Sequence, residues 1–347
     1  MMKKLTVLGI AVAMLFSLTA CSRLPVVYAE CEGDSNSTYK SLGINIMNTG
    51  ETLTISQNTF NGIDSNVKTS WSVGKFDKFE LFTFNETNKG IVTIKDNTIT
   101  AVNSGHTWVY ANVYINGKDP SGRKVMLKWT VAVAEISVIN EATMTPITTA
   151  QELADINNTL SGHYILKADI DLKEWGEWKS IGEKFPGFTG MLVNPYGYKI
   201  RNLTVTTSET MFGEHVGLFG AVSDNAFISG IILENIFIDV SDYEGIASVE
   251  PSLVGGIWPF GSPTVGGIAA EVGNSAMIMD CSVSGTIIGG GTFTGGIAGT
   301  ANNVAWIINC TFTGTLKNHK SILDQMFAIG GIVGYSDKDY DNNKLFC

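Results

Sequence analysis

Gly217-Leu218-Phe219-Gly220, Gly267-Ile268-Ala269-Ala270, Gly296-Ile297-Ala298-Gly299 and Gly331-Ile332-Val333-Gly334 are one phrase written four times in the last third of the chain. Such a recurrence marks a solenoid, in which each unit buries its apolar face only against its neighbours. Eight residues beyond the last position of the first three phrases stand Ile228, Ile278 and Ile307, and eleven beyond stand Ile231, Cys281 and Cys310. Insertions are therefore excluded from this stretch. The chain then alternates, as in Cys281-Ser282-Val283-Ser284-Gly285-Thr286 and Cys310-Thr311-Phe312-Thr313-Gly314-Thr315, the period of a strand with one buried face. The glycines suit corners or places where two backbones approach closely. The units lack the apolar spacing of three and four that a helix needs to bury a stripe. The sequence thus predicts an all-β stack of coils around a narrow apolar core.

These repeats resemble the GLUG motif, a Gly-rich β-unit of bacterial surface proteins, and the preceding segment resembles the sequence that commonly leads into it. That lead-in runs from Thr148-Thr149-Ala150-Gln151-Glu152-Leu153 through Tyr164-Ile165-Leu166 and Ala168-Asp169-Ile170-Asp171-Leu172 to Phe188-Thr189-Gly190 and Ile200-Arg201-Asn202-Leu203-Thr204. The resemblance spans residues 145 to 347 and implies a right-handed parallel β-helix displayed at a cell envelope. Thr149 with Glu152 forms a capping box, Leu153, Ile156 and Leu160 share one helical face, and Gly162 can end the helix. A short helix over residues 150 to 160 is expected to cap the first coil, whose unpaired rung would otherwise invite association.

At the N-terminus Lys3-Lys4 precede an uncharged apolar run from Leu5 to Leu18, shorter than the roughly 20 residues of a membrane-spanning helix. Residues 1 to 20 therefore read as a signal peptide. Leu18-Thr19-Ala20-Cys21 resembles a bacterial lipobox, which implies a lipid anchor on Cys21 and a location in the bacterial cell envelope, at the outer membrane or cell surface. Cleavage after Val27-Tyr28-Ala29 is the alternative, and the apolar run ends too early for it. Residues 21 to 40, with Ser, Asn, Pro and charges, read as a tether.

A second module lies between tether and solenoid. Val125, Leu127, Trp129, Val131 and Val133 alternate with Met126, Lys128, Thr130 and Ala132, and Val67, Thr69, Trp71 and Val73 do the same, as sandwich strands should. Asp96-Asn97 marks a turn between Val92-Thr93-Ile94 and Ile99-Thr100-Ala101-Val102. With Thr69-Ser70-Trp71-Ser72, Gly105 and Val109-Tyr110-Ala111, this pattern resembles a group 2 bacterial immunoglobulin-like domain over residues 41 to 135. The aromatic stretch from Phe76 to Phe84 reads as a loop longer than that family's usual one. Such modules commonly act as spacers.

The composition agrees with an exported all-β protein: 347 residues suffice for two domains, and 38 glycines against 16% charged residues suit coils and turns. Without residues 1 to 20 the chain carries 21 basic and 33 acidic groups, a net of about −12, which disfavours nucleic acid as a partner. Four cysteines after Cys21 are too few for a disulfide scaffold. Cys281 and Cys310 occupy equivalent positions about 4.8 Å apart, and a parallel ladder rarely aims two Cβ atoms for a bridge, so buried thiols are expected.

Candidate chemistry is sparse. His106, His163, His215 and His319 stand singly and are expected at the surface or in turns, and no H-E-x-x-H spacing holds zinc, which weighs against the IgA-cleaving metallopeptidases that carry GLUG repeats. No Ser-His-Asp arrangement occurs in a recognisable context. No catalytic residue, metal or cofactor is assigned, and the protein is expected not to be an enzyme. The rival reading is a carbohydrate-active β-helix enzyme, a polysaccharide lyase or glycoside hydrolase, with Asp169 and Asp171 as a carboxylate pair. A capped turn entering the first coil accounts for the same two residues. Asp337, Asp339 and Asp341 have the spacing of a calcium loop, but Asn342 replaces its glycine, and a solvated acidic loop is preferred.

Repeat arithmetic supplies the remaining candidate site. Phrase starts are 29 residues apart from Gly267 to Gly296 and 35 from Gly296 to Gly331, but 50 from Gly217 to Gly267. About twenty extra residues thus bulge out between residues 241 and 263, bringing Tyr243, Trp258 and Phe260, and solenoid insertions often form the binding face. These aromatics either bind a ligand or fold back over the core. Trp175 and Trp178 form a second aromatic candidate, with packing of the first coil as its alternative. The last phrase is followed by Cys347, which falls in the column of Cys281 and Cys310 if the intervening loop is two residues longer. That reading leaves an open coil end, with end-to-end self-association and an intermolecular Cys347 disulfide expected. The function expected is a non-enzymatic lipoprotein, anchored to the membrane through Cys21, that presents a β-helix for adhesion to an extracellular glycan or surface protein.

Overall fold

A computed structural model describes residues 26–28, 44–56, 60, 76–83, 90–118, 122, 124–183, 185–206, 215–241, 263–290, 293–302, 305–318, 328–336 and 344–346. Two compact units divide between Asn140 and Glu141.

The first unit has a three-stranded antiparallel sheet, Thr52–Thr54, Thr98–Ala101 and Val92–Lys95, and a five-stranded sheet built on two long antiparallel strands, Gly105–Lys118 and Lys124–Ile139. Asp96 and Asn97 form the expected turn with φ of 49° and 61°, the paired left-handed conformation a tight hairpin needs. Both sheets contribute to one apolar cluster that includes Phe60, Phe79, Ile99, Ile115 and Ile136. Two expectations are corrected. The stretch read as a loop is a strand, Phe76–Thr83, antiparallel to Gly105–Lys118, because Phe79 alternates inward while Lys78 and Glu80 face out. Part of the expected tether, Val26–Tyr28, pairs parallel with Thr130–Ala132, and Ile44–Asn48 pairs parallel with Glu135–Ile139. Val67, Thr69, Trp71 and Val73 lie outside the described residues.

In the second unit the repeats that open at Gly217, Gly267 and Gly296 each visit four parallel sheets in the same order. One repeat contributes Thr264–Gly266, Ala269–Val272, Met277–Met279 and Ser282–Gly289 to the first, second, third and fourth sheets. The next contributes Phe293–Gly295, Ala298–Ala301, Trp306–Ile308 and Thr311–Asn318, each directly beneath its counterpart. Such stacking suggests a β-helix. The columns built from sequence spacing are spatial columns, since Ile228, Ile278 and Ile307 are in-register partners and all three are buried in one core.

The phrase glycines answer to that stacking. A Cβ on Gly267 would lie 2.5 Å from the Gly296 carbonyl oxygen, and one on Gly296 would lie 2.1 Å from that of Gly331, so a side chain at either would force consecutive coils apart. Other corners use Asn and Asp. Asp280 and Asn309 occupy the same corner with φ of 53° and 49°, and the Asn309 Nδ2 donates to Asp280 Oδ1 at 2.6 Å. Short polar side chains tolerate that conformation and here also bond from coil to coil.

Before the repeats, the third sheet extends through Met191–Val193 and His163–Leu166 to Thr145–Ile147. The expected helix is Ala150–Ala154 continued by a 3₁₀ turn, Asp155–Asn158, and its capping box is present. Thr149 Oγ1 accepts from Glu152 N at 3.2 Å, and Glu152 Oε2 accepts from Thr149 N at 3.1 Å. Leu153 and Ile156 enter the same core as the coils. At the other end Lys344–Phe346 pairs with Trp306–Ile308. Leu345 is therefore the register partner of Ile307, three residues further along its repeat than Ile307 is along the repeat above. Cys347, expected beside Cys310, lies outside the described residues.

Candidate functional site

Asp169 and Asp171 are held on the outer side of the fourth sheet, where Ile170–Asp171, Lys199–Arg201 and Ile232–Asp239 lie side by side. Asp169 accepts from the Lys199 backbone N at 2.8 Å and from Arg201 Nη1 at 2.9 Å. Asp171 accepts from Asn202 Nδ2 at 2.6 Å and Lys173 N at 2.9 Å. Glu234 completes the network, taking Lys199 Nζ at 2.6 Å and Arg201 Nε at 3.1 Å. Each carboxyl group is held below its usual pKa: Asp169 chiefly by the Lys199 amide, Asp171 by the Asn202 side chain and Glu234 by the Lys199 side chain.

The tryptophan pair divides. Trp178 is 3% exposed and belongs to the core, its indole Nε1 donating to Leu218 O at 3.1 Å. Trp175 is 36% exposed, with its ring 6.0 Å from that of Trp178. Of the two rings, only that of Trp175 is exposed. Tyr243, Trp258 and Phe260 lie outside the described residues, as do Cys21, His319 and the acidic run from Asp337.

Three further exposed aromatics among the described residues escaped the sequence reading: Phe185, Tyr196 and Phe237. Tyr196, 51% exposed, follows Asn194-Pro195 in a corner, lies 4.3 Å beneath the Lys167 ammonium, and shares hydrogen bonds with Lys167 and Glu141. Phe237, 42% exposed, projects from the fourth sheet in register with Thr204 and Thr286. A signal for it existed: Ile236 and Ile238 are inward, so period two turns Phe237 out.

The histidines correct another expectation. His106 is 3% exposed, its Nδ1 2.8 Å from Ser137 Oγ and its Nε2 2.8 Å from Glu135 Oε1. Ser137 and Glu135 are equally enclosed, so this Ser-His-Glu set is a buried polar contact within the first unit and offers no nucleophile to a substrate. Burial raises the Glu135 pKa, partly opposed by His106. His215 is partly buried 3.5 Å from Glu271, and burial lowers its pKa. Among the described residues, no three His, Cys, Asp or Glu side chains are grouped to hold a metal.

Residues 261–288 match the family described as "The GLUG motif". The match spans the strands from Thr264–Gly266 to Ser282–Gly289, with all but the last residue of that final strand included. Over 134 residues the chain is 28% identical to a protein of Evansella cellulosilytica described as "Putative Gly-rich membrane protein", a match covering 37% of this chain and 14% of that relative. The chain therefore matches only about one seventh of that relative's length. Among solved structures it is similar to one described as a "putative immunoglobulin A1 protease from Bacteroides ovatus", with 19% identity, a TM-score of 0.35, and coverage of 58% of this chain and 64% of the other. Among the described residues no helix is long and apolar enough to cross a membrane.

Proposed function

We propose that this chain is a non-enzymatic cell-envelope lipoprotein that presents a right-handed β-helix, carried on an immunoglobulin-like spacer, to an extracellular glycan or surface protein. The observation that carries the reading is the repeat architecture: four parallel sheets in register give extended flat faces and display side chains at fixed spacing. The GLUG match and the Gly-rich membrane relative support a place at the cell surface. Asp169 and Asp171 favour binding over catalysis. A general acid needs a raised pKa near the working pH, whereas both are held low by bonds that brace one coil against the next.

Anchoring is assigned to a lipid on Cys21. A glycan and surface-protein array probed with the mature chain tests the adhesion reading, and a specific, saturable hit is expected. Release of an unsaturated product from a uronic-acid polysaccharide would overturn it in favour of a lyase. Replacing Cys21 by Ser should release the protein from membranes, and full membrane retention refutes the anchor.

A further inference from the structure

Cys281 and Cys310 are neighbours in space as well as in the repeat. Ser282 pairs with Thr311, and Thr311 N donates to Cys281 O at 2.9 Å, so the two thiols stack at the inner corner where the third sheet passes into the fourth. Both are free and buried, at 1% and 8% exposure. Each donates to the carbonyl two residues before it, Cys281 to Met279 O at 3.2 Å and Cys310 to Ile308 O at 3.3 Å. The corresponding residue of the coil above is Ile231, which carries no thiol.

We propose that Cys281 and Cys310 are a reversible redox staple between consecutive coils, reduced as seen here and closed to a disulfide by a low-molecular-weight disulfide. In-register parallel strands place the Cα atoms about 4.8 Å apart, inside the range for a disulfide. The Cβ atoms run side by side at the same spacing, so closure needs an approach of about 1 Å to reach the usual Cβ separation. That strain keeps the bond easily reducible. It suits a switch rather than a permanent bridge.

The step balances as thiol–disulfide exchange. Cys310, the more exposed, attacks one sulfur of R–S–S–R as thiolate and releases one R–S⁻, which takes up a proton. Cys281 then attacks the Cys310 sulfur of the mixed disulfide and releases the second R–S⁻. Two protein thiols have lost two protons and two electrons, and the reagent leaves as two thiols. The order follows from the environment: the Cys281 hydrogen bond holds the Cys310 thiol below its usual pKa, whereas burial pushes the Cys281 thiol up. Closure fixes residues 281 to 310 as one loop.

The test uses the full chain treated with oxidised glutathione or with dithiothreitol, then denatured, alkylated and digested with trypsin. No Lys or Arg lies between Arg201 and Lys317, so one peptide, residues 202–317, holds both cysteines and no other. After oxidation it should weigh two hydrogens less and take no alkyl group; after reduction it should take two. The folded protein should melt up to about 10 °C higher when oxidised, and dithiothreitol should reverse the gain. Cys310→Ser should remove this redox dependence. Two alkyl groups after oxidation, a persistent glutathione adduct, or a closed bond that leaves the melting temperature unchanged or lower would each overturn the proposal. All three readouts come from the wild-type chain, so they decide the matter even if the variant fails to fold.

Discussion

Gly296 and Gly331 hold the same place in the repeated phrase, yet they should respond oppositely to alanine. A Cβ on Gly296 would sit 2.1 Å from the Gly331 carbonyl oxygen and 2.4 Å from Phe312 Cγ, whereas one on Gly331 has no atom of the described residues within 4 Å. Neither glycine has a positive φ, so the difference is steric. Relieving the Gly296 clash means parting two coils by about 1 Å, which stretches the bonds from Gly296 N to Gly330 O, Ile297 N to Ile332 O and Ala298 N to Ile332 O. Weakening two or three such bonds at about 1 kcal/mol each, with an overpacking cost of about 1–3 kcal/mol, gives a loss of about 4 kcal/mol for Gly296→Ala. For a unit of some 200 residues that lowers the melting temperature by roughly 10 °C. Gly331→Ala should be neutral or stabilising by up to about 1 kcal/mol, because alanine restricts the unfolded chain. Thermal unfolding followed by far-ultraviolet circular dichroism measures both. Equal losses at the two sites would show that the phrase glycines serve a turn geometry, and the stacking argument would fail.

Trp178→Ala should cost about 3–5 kcal/mol by emptying core volume, while Trp175→Ala should stay within about 0.5 kcal/mol; denaturant titration separates them, and similar costs would contradict the division between core and surface. Trp258→Ala should weaken binding to whatever ligand the array identifies while leaving the melting temperature nearly unchanged, and a loss of several degrees with binding intact would make that residue part of the core. Glu135 has a folded pKa raised above its ordinary 4.5, so its contribution is present below that value and is lost as pH rises through the folded pKa. Relative to wild type, Glu135→Gln should therefore gain stability as pH is raised from about 4.5 through the folded pKa, and a difference independent of pH would refute a raised pKa there.

Much of the second unit was legible because a parallel, in-register stack converts sequence period directly into spatial columns. Ile228, Ile278 and Ile307 could be aligned by counting alone, and the Thr149–Glu152 cap by its local spacing, since both depend on residues whose separation the chain itself sets. The first unit was less legible where partners come from far along the chain. Val26–Tyr28 becomes a strand only because Lys124–Ile139 offers it an edge, and Phe76–Thr83 only because Gly105–Lys118 lies alongside. Sites divided in the same way. The aromatic character of Trp175 and Trp178 was plain, but which ring turns inward was set by the Leu218 carbonyl, 40 residues later. Asp169 and Asp171 could be read as a pair from spacing, yet their roles as braces depend on Lys199, Arg201 and Asn202 in the next coil. Local periodicity along the chain was enough for the repeat, its columns and the cap. The enclosure of His106 with Glu135 and Ser137 and the bonding of Asp169 and Asp171 across coils came from the fold, because burial and pKa depend on residues distant in the chain.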